Sequence, residues 1–298
     1  MMIQLAAPHT WSAAIVPVVL GFSYSLASGA TISLSLLFSM LAIAVLMQSA
    51  VNTLNDYMDY VKGTDTEENQ LDPTDAVLVY NNVNPKSAFV YFIVLMAVAL
   101  ALGIYTVLRS SWITLAIGIF AALIIVLYSV GKTPLSYLPV GEFVSGFTMG
   151  GLIMLATCYV LTSVFEWKAL LLSLPCILSI GLINMTNNTC DIEKDIDANR
   201  KTLSVILGRK RSVVVYHATM YAIEICICLF ICIFYPTGLP VCVFMVLAFI
   251  PGFRALRANP LVMQSRGPAM GQVVTLNIML NTFYALAIIA GAFNVFTL

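Results

Sequence analysis

Residues 52–65, NTLNDYMDYVKGTD, place three aspartates, Asp56, Asp59 and Asp65, within ten residues, directly behind LLFSMLAIAVLMQSAV (residues 36–51), a run without a single charge. The pattern returns once: LLLSLPCILSIGLINM (residues 170–185) empties into TNNTCDIEKDIDANRKTL (residues 186–203). An apolar run of about 20 residues is what a helix needs to cross the hydrocarbon core of a bilayer. Carboxylates at the mouth of two such runs are costly there and mark function.

Working outward, the 298 residues are 60% hydrophobic and only 9% charged, too apolar for an ordinary soluble domain. Apolar windows fall near residues 11–29, 31–54, 87–107, 111–129, 139–162, 168–188, 213–235, 238–252 and 270–296. Their length and lack of alternation predict an all-α polytopic membrane bundle of nine transmembrane helices rather than a barrel. The chain is expected to form one domain, residues 1–298, of two related halves, about 1–135 and 136–298. MMIQLAAPHT carries no Lys or Arg before the first run, so that run is expected to be a span and not a cleaved signal. Formal charge is zero, and no nucleic-acid partner is expected. With helix one entering from the cytoplasm, twelve of the fourteen basic residues lie on the cytoplasmic side and only Arg109 and Lys168 opposite. Such a chain is expected to be a multi-pass membrane protein, of a bacterial cytoplasmic membrane, with both aspartate motifs on the cytoplasmic face.

On a helix, Gln48, Asn52, Asn55, Asp56 and Asp59 form one polar stripe, with Gly63 as a stop signal and Asp65 just beyond. Asn184, Asn187, Asn188, Asp191 and Asp195 repeat it. Both stripes end even-numbered helices and so reach the same face. Gathered carboxylates repel, and a cation must hold them. With oxygen ligands and neither thiolate nor suitable imidazole, a hard divalent ion, Mg2+ in particular, held by the two carboxylate pairs and bridging them to a diphosphate is the expectation. Lys62, Lys132, Arg200 and Lys201 are placed to neutralise that diphosphate as it leaves carbon. Arg254, Arg257 and Arg266 read instead as positive-inside anchors, and Asp197, Glu67, Glu68, Asp72 and Asp75 as loop charges. The seven cysteines show no zinc spacing and read as small buried hydrophobes. Glu224 lies mid-span as a structural or protonated group, and Asn277 and Asn281, one turn apart, are expected to bond across helices.

NDYMDYVKGTD and NNTCDIEKDIDANRKTL resemble the two aspartate-rich signatures of the UbiA-type intramembrane prenyltransferases, whose architecture is nine helices. The stretches NPKSAF, YSVGKTPLSYLPVGE and KTLSVILGRK add to the likeness. The form NDxxDxxxGxD, with Gly63 where the 4-hydroxybenzoate branch usually has aspartate, is most similar to the 1,4-dihydroxy-2-naphthoate polyprenyltransferases of menaquinone synthesis. Ala7 and Cys190 depart from that branch, which tends to carry arginine at both. The resemblance implies that Asn55, Asp56, Asp59, Asp65, Asn188, Asp191 and Asp195 hold Mg2+ and a polyprenyl diphosphate. It also implies that Lys132, Arg200 and Lys201 meet the phosphates, and that an aromatic acceptor sits near Tyr128 and Glu142. Catalytic roles then fall to Asp56, Asp59, Asp191 and Asp195, with Asn187 beside them. Tyr57, Tyr128, Phe143, Phe147 and Tyr159 are candidates to face a cation-like carbon, and membrane lipid is the remaining partner.

Two alternatives stand beside this. One is another acceptor, such as 4-hydroxybenzoate; the other is a secondary transporter, whose carboxylates belong near the bilayer midplane on broken helices. The charge asymmetry yields a test of orientation. On a cysteine-free background, single cysteines near Thr66 and at Asp197 are expected to react with an impermeant maleimide from the cytoplasm, and one at Glu166 only from outside. Labelling of the first two from opposite faces removes the shared site.

Overall fold

The computed structural model describes residues 2–63, 77–81 and 83–296. Asp65, Glu67, Glu68, Asp72 and Asp75 lie outside the described residues. Among the described residues the regular structure is helical. The long helices are α1 (Ser12–Ala27), α2 (Leu34–Lys62), α3 (Pro85–Arg109), α4 (Trp112–Ser129), α5 (Gly141–Thr162), α6 (Leu174–Cys190), α7 (Leu203–Phe234), α8 (Leu239–Ala258) and α9 (Arg266–Ala292).

By length and apolar composition, seven helices among the described residues suffice to cross a membrane, and eight if Met2–Thr10 and Ser12–Ala27, bent by 52°, count as one span. The expected nine crossings are therefore not reached on that measure. Two local events explain the shortfall. The helix over the first run is only 16 residues long, Ser12–Ala27, and the segment ahead of it is bent away where Ala7 adopts a left-handed backbone (φ 44°) before Pro8. The run expected over 168–188 divides at Ser173 into Trp167–Leu172 and a 17-residue α6 that opens with Pro175. Proline at the start of a helix needs no amide bond, so it ends one segment and begins another.

Other boundaries follow the same local chemistry. α2 ends at Gly63, whose φ of 68° is the left-handed stop expected of it, and its N–H bonds to the Tyr60 carbonyl at 3.1 Å. α7 begins at Leu203, well before the apolar run near 213, and turns at Gly208 (φ 70°, ψ 157°). α8 continues past 252 to Ala258, running through Pro251.

One large core cluster draws on α1 and α5 to α9, around the fully buried Tyr216, Phe249 and Tyr284. Smaller clusters join α1, α2 and α5, and α2, α3 and α4. Outward faces carry exposed Phe38, Leu108, Trp112 and Ile119, which suit lipid and would not suit water. α5 and α6 approach closely. A Cβ added at Gly146 would stand 2.4 Å from the Ile177 carbonyl oxygen, and one at Gly150 2.7 Å from the Ile177 nitrogen. Small residues four apart allow this backbone contact where no water drives helices together. Across it, α5 turns as a π-helix over Gly146–Leu152, just beyond Glu142.

Because the obstacle at Gly146 is backbone and cannot rotate away, Gly146→Leu is expected to cost at least the roughly 3 kcal/mol at the upper end of overpacking. Thermal unfolding in detergent checks it, with exposed Gly118→Leu on α4 as a neutral comparison.

Candidate active site

The ends of α2 and α6 meet over a central cavity of about 310 Å³. Five of its wall residues are the first stripe: Gln48, Asn52, Asn55, Asp56 and Asp59. From the second stripe come Asn184, Asn187 and Asp191. Asp195 is buried beyond the wall, on the short helix Ile192–Asp197. The two motifs are held to one another by Arg200. Its guanidinium donates to Asp59 Oδ1 at 2.7 Å and stands 3.8 Å from Asp195 Oδ1. The loop carrying Arg200 is itself pinned, since Arg200 N–H bonds the Asp195 carbonyl and Lys201 N–H bonds the Tyr137 carbonyl, both at 2.8 Å. The Arg200 guanidinium also lies 4.5 Å from the Tyr137 ring centre, a cation–π contact.

Burial and charge oppose one another here. Burial works against the Arg200 cation, but the Asp59 carboxylate outweighs it and holds the group above its ordinary pKa. At Asp195 burial dominates and lifts the carboxyl to about 6, against the pull of Arg200 and with Asp191 adding to the rise.

Arg266 was expected to be a membrane anchor. It instead lies in the cavity wall, its Nε 3.2 Å from Asp191 Oδ1 and its terminal nitrogen donating to Asn187 Oδ1. Arg266 begins α9, far from either motif in sequence, and only the packing of α9 on α6 brings it there. Lys194 also lines the cavity. Three other expected cations are placed differently. Lys132 and Lys201 are exposed and outside the wall. Lys62 is exposed too, its ammonium 4.8 Å from the Tyr137 ring centre and 3.4 Å from the Ser129 carbonyl.

The stripes are not uniform in use. Gln48 and Asn52 donate to Thr10 Oγ1 at 3.1 and 2.8 Å, and Asn52 also to the Ala6 carbonyl at 3.2 Å, so this end of the first stripe holds the N-terminal segment in place. Asn55 accepts from Ser129 Oγ at 3.3 Å. In the second stripe, Asn184 donates to Tyr128 Oη at 2.7 Å and Asn188 to Glu142 Oε1 at 2.8 Å, tying α6 to α4 and α5. Glu142 and Asn188 are thus behind the wall, not on it. Of the five aromatic candidates, Tyr128 alone lines the cavity. Tyr57 packs on Phe89, Tyr159 is buried in the bundle, and Phe143 is 67% exposed and stacks on Phe147.

Charge gathers at one end of the cavity, while its depth is apolar, with Met47, Ile124, Ile125, Met149, Ile180 and Ile183. No three His, Cys, Asp or Glu groups among the described residues converge on one point. Mg2+ commonly binds through one or two carboxylates and completes its shell with water and phosphate oxygens. Separate carboxylates around one cavity, with oxygen ligands beside them, fit that habit better than they fit an all-protein cage.

The model of the UbiA prenyltransferase family matches residues 14–266. A Bacillus subtilis (strain 168) protein named 1,4-dihydroxy-2-naphthoate octaprenyltransferase is 33% identical over 216 residues, 72% of this chain and 68% of that protein. One of the same name from Mycobacterium tuberculosis is 28% identical over 215 residues, 72% of each. Among solved structures, a UbiA homolog from Archaeoglobus fulgidus bound to DMAPP and Mg2+ superposes with a TM-score of 0.63 at 14% identity, over 94% of this chain and 99% of that one. At that identity the likeness concerns the fold.

Arg200 is the shared cation of two buried carboxylates from different motifs. Arg200→Met is expected to destabilise the protein by about 3–5 kcal/mol, the range for breaking one side of a buried ion pair, with Arg200→Lys less damaging. Chemical denaturation in detergent measures the difference.

Proposed function

The chain belongs to the UbiA prenyltransferase family, and from that premise we propose that it transfers a polyprenyl group from polyprenyl diphosphate to 1,4-dihydroxy-2-naphthoate, with loss of carbon dioxide. The product is demethylmenaquinone in its reduced form. The observation that carries the reading is the Arg200 tie, which turns two distant aspartate motifs into one charged end of a cavity whose depth is apolar. A diphosphate with a hydrocarbon tail has that same division of polarity. Family membership and the long apolar helices make this an integral, multi-pass membrane protein. Its orientation, with motifs toward the cytoplasm and α1 and α6 completing nine crossings, is part of the proposal.

Asp56, Asp59, Asp65, Asp191 and Asp195 are assigned to Mg2+, with Asn55 and Asn187 supporting them from the cavity wall. When bound, Mg2+ supplies positive charge that draws electrons toward the departing diphosphate. The chain's own part is the following. Arg200 and Arg266, with Lys194 and Lys62 at the periphery, bind the phosphate oxygens through charge-assisted hydrogen bonds. The allylic carbon–oxygen bond breaks, and diphosphate leaves with the electron pair. The Tyr128 ring, oriented by its bond from Asn184, offers an aromatic face to the electron-poor carbon. Ile125, Met149, Ile180 and Ile183 keep water from it. The acceptor ring forms the new carbon–carbon bond, and its carboxylate departs as carbon dioxide, returning an electron pair to the ring. Glu142 acts at one remove, holding Asn188 behind the wall.

Two relatives carrying the dihydroxynaphthoate name, and the first motif with Gly63 and then Asp65, favour this acceptor. A different phenolic acceptor, such as 4-hydroxybenzoate, is favoured by Ala7, which lies in the cavity wall without the arginine that the branch tends to carry there.

Asp56→Asn and Asp191→Asn are each expected to lower turnover about a hundredfold or more, the scale for removing one preorganised electrostatic group. A strong chelator should abolish activity and added Mg2+ restore it, with Arg266→Gln more harmful than Lys132→Ala. Steady-state rates with purified protein decide this, and full turnover under chelation refutes the metal assignment. The acceptor is tested by competing 1,4-dihydroxy-2-naphthoate against 4-hydroxybenzoate in one reaction and weighing the products. A product that keeps its carboxylate overturns the branch assignment while leaving prenyl transfer intact.

A further inference from the structure

α7 and α8 pack side by side, and three contacts fix their register. Arg209 donates to the Leu261 carbonyl just beyond α8, His217 lies within electrostatic reach of Arg257, and the Tyr221 ring stacks on Phe253 at 5.4 Å. The two helices are therefore antiparallel, and the start of α7 meets the end of α8. That meeting lies at the aspartate end of the bundle, because Arg209 also donates to the Thr189 carbonyl at 2.7 Å, two residues before Asp191. Four exposed cations collect there: Lys210 and Arg211 on α7, Arg254 and Arg257 on α8. None of them has a carboxylate partner among the described residues. Glu193, which does reach this part of α7, is taken by Arg209, whose guanidinium donates to both of its oxygens at 2.8 and 2.6 Å. None of the four cations lines the central cavity.

Away from the cations the same helix faces turn apolar and stay open. Val214, Tyr221 and Ile225 follow Lys210 at helical spacing on α7, and Leu247 and Ile250 precede Arg254 on α8, all of them exposed. We propose that this face binds one anionic phospholipid, its phosphate held among Lys210, Arg211, Arg254 and Arg257 and its acyl chains laid along the apolar turns. Basic pockets between membrane helices take anionic headgroups for this reason. A soluble anion has no use for the apolar turns, and a zwitterionic lipid brings its own cation to four others. His217, level with Arg257, has its Nε2 buried without a partner among the described residues, which leaves one more polar nitrogen beside the charged end. Arg254 and Arg257 thereby acquire a part more specific than orienting the chain.

The inference does not rest on the proposed reaction, and it is tested without turnover. The full chain in detergent is titrated with phosphatidylglycerol and with phosphatidylcholine of the same acyl chains, and retained lipid is counted by native mass spectrometry. One phosphatidylglycerol is expected to be held about tenfold or more tightly than phosphatidylcholine. A cation beside an anionic headgroup is worth roughly fivefold in affinity, so Arg254→Gln with Arg257→Gln should weaken phosphatidylglycerol about tenfold or more and leave phosphatidylcholine unchanged. Lys210→Gln with Arg211→Gln repeats the test from the other helix, and Arg254→Lys with Arg257→Lys should keep the preference. Lys86→Gln with Lys132→Gln removes two exposed cations from elsewhere in the chain and should change neither lipid. Thermal unfolding confirms that each variant folds, as expected where only exposed side chains change. Equal binding of the two lipids overturns the proposal. So does equal weakening by the Lys86 and Lys132 pair, which reports diffuse charge and no site. Displacement of phosphatidylglycerol by inorganic phosphate also overturns it, since the face then reads the anion without the lipid.

Discussion

Arg200 reaches Asp59 across 141 residues of chain and stands beside Asp195 in its own motif. A carboxylate at the edge of the hydrocarbon region is costly alone, and several together are worse. The first cation that answers this cost is part of the protein. Arg200 neutralises one carboxylate of each motif, and Arg266 pairs with Asp191 of the second. The two motifs are thus held together at the cavity by the chain's own guanidinium groups.

That arrangement depends on the bundle in ways that neither motif records. The close approach of α5 and α6 at Gly146, Gly150 and Ile177 lets Glu142 lie behind Asn188. The bond from Asn184 to Tyr128 orients α4. Gln48 and Asn52 hold the N-terminal segment over the cavity through Thr10 and Ala6, which brings His9 and Ser12 into its wall. Amides of the same stripes therefore divide into those that build the chamber and those that face into it.

Much of the outline was legible in the residues. Apolar runs mark helices because unsatisfied backbone cannot cross hydrocarbon, and amides and aspartates recurring every three or four residues mark one face. Gly63 announced the end of α2 through the left-handed backbone that glycine adopts at no steric cost. The expected bonding of Asn277 and Asn281 across helices is met at Ser179 on α6. The tally of nine spans was less secure. Hydropathy does not register where a helix bends: the N-terminal segment turns away from α1 near Ala7, and the break at Ser173 leaves two segments shorter than their apolar run.

Composition and periodicity by themselves determined a helical membrane protein, and the paired stripes determined where its charge would gather. They did so because hydrocarbon tolerates few backbone and charge arrangements, so each exception stands out along the chain. What only the tertiary structure decided is which basic residues serve those charges. Arg266 and Lys132 look alike in sequence, each in a polar segment near a helix end, yet one pairs with Asp191 in the cavity wall and the other is exposed. A guanidinium's partner is set by the packing of helices far apart in the chain, and no local pattern carries that distance.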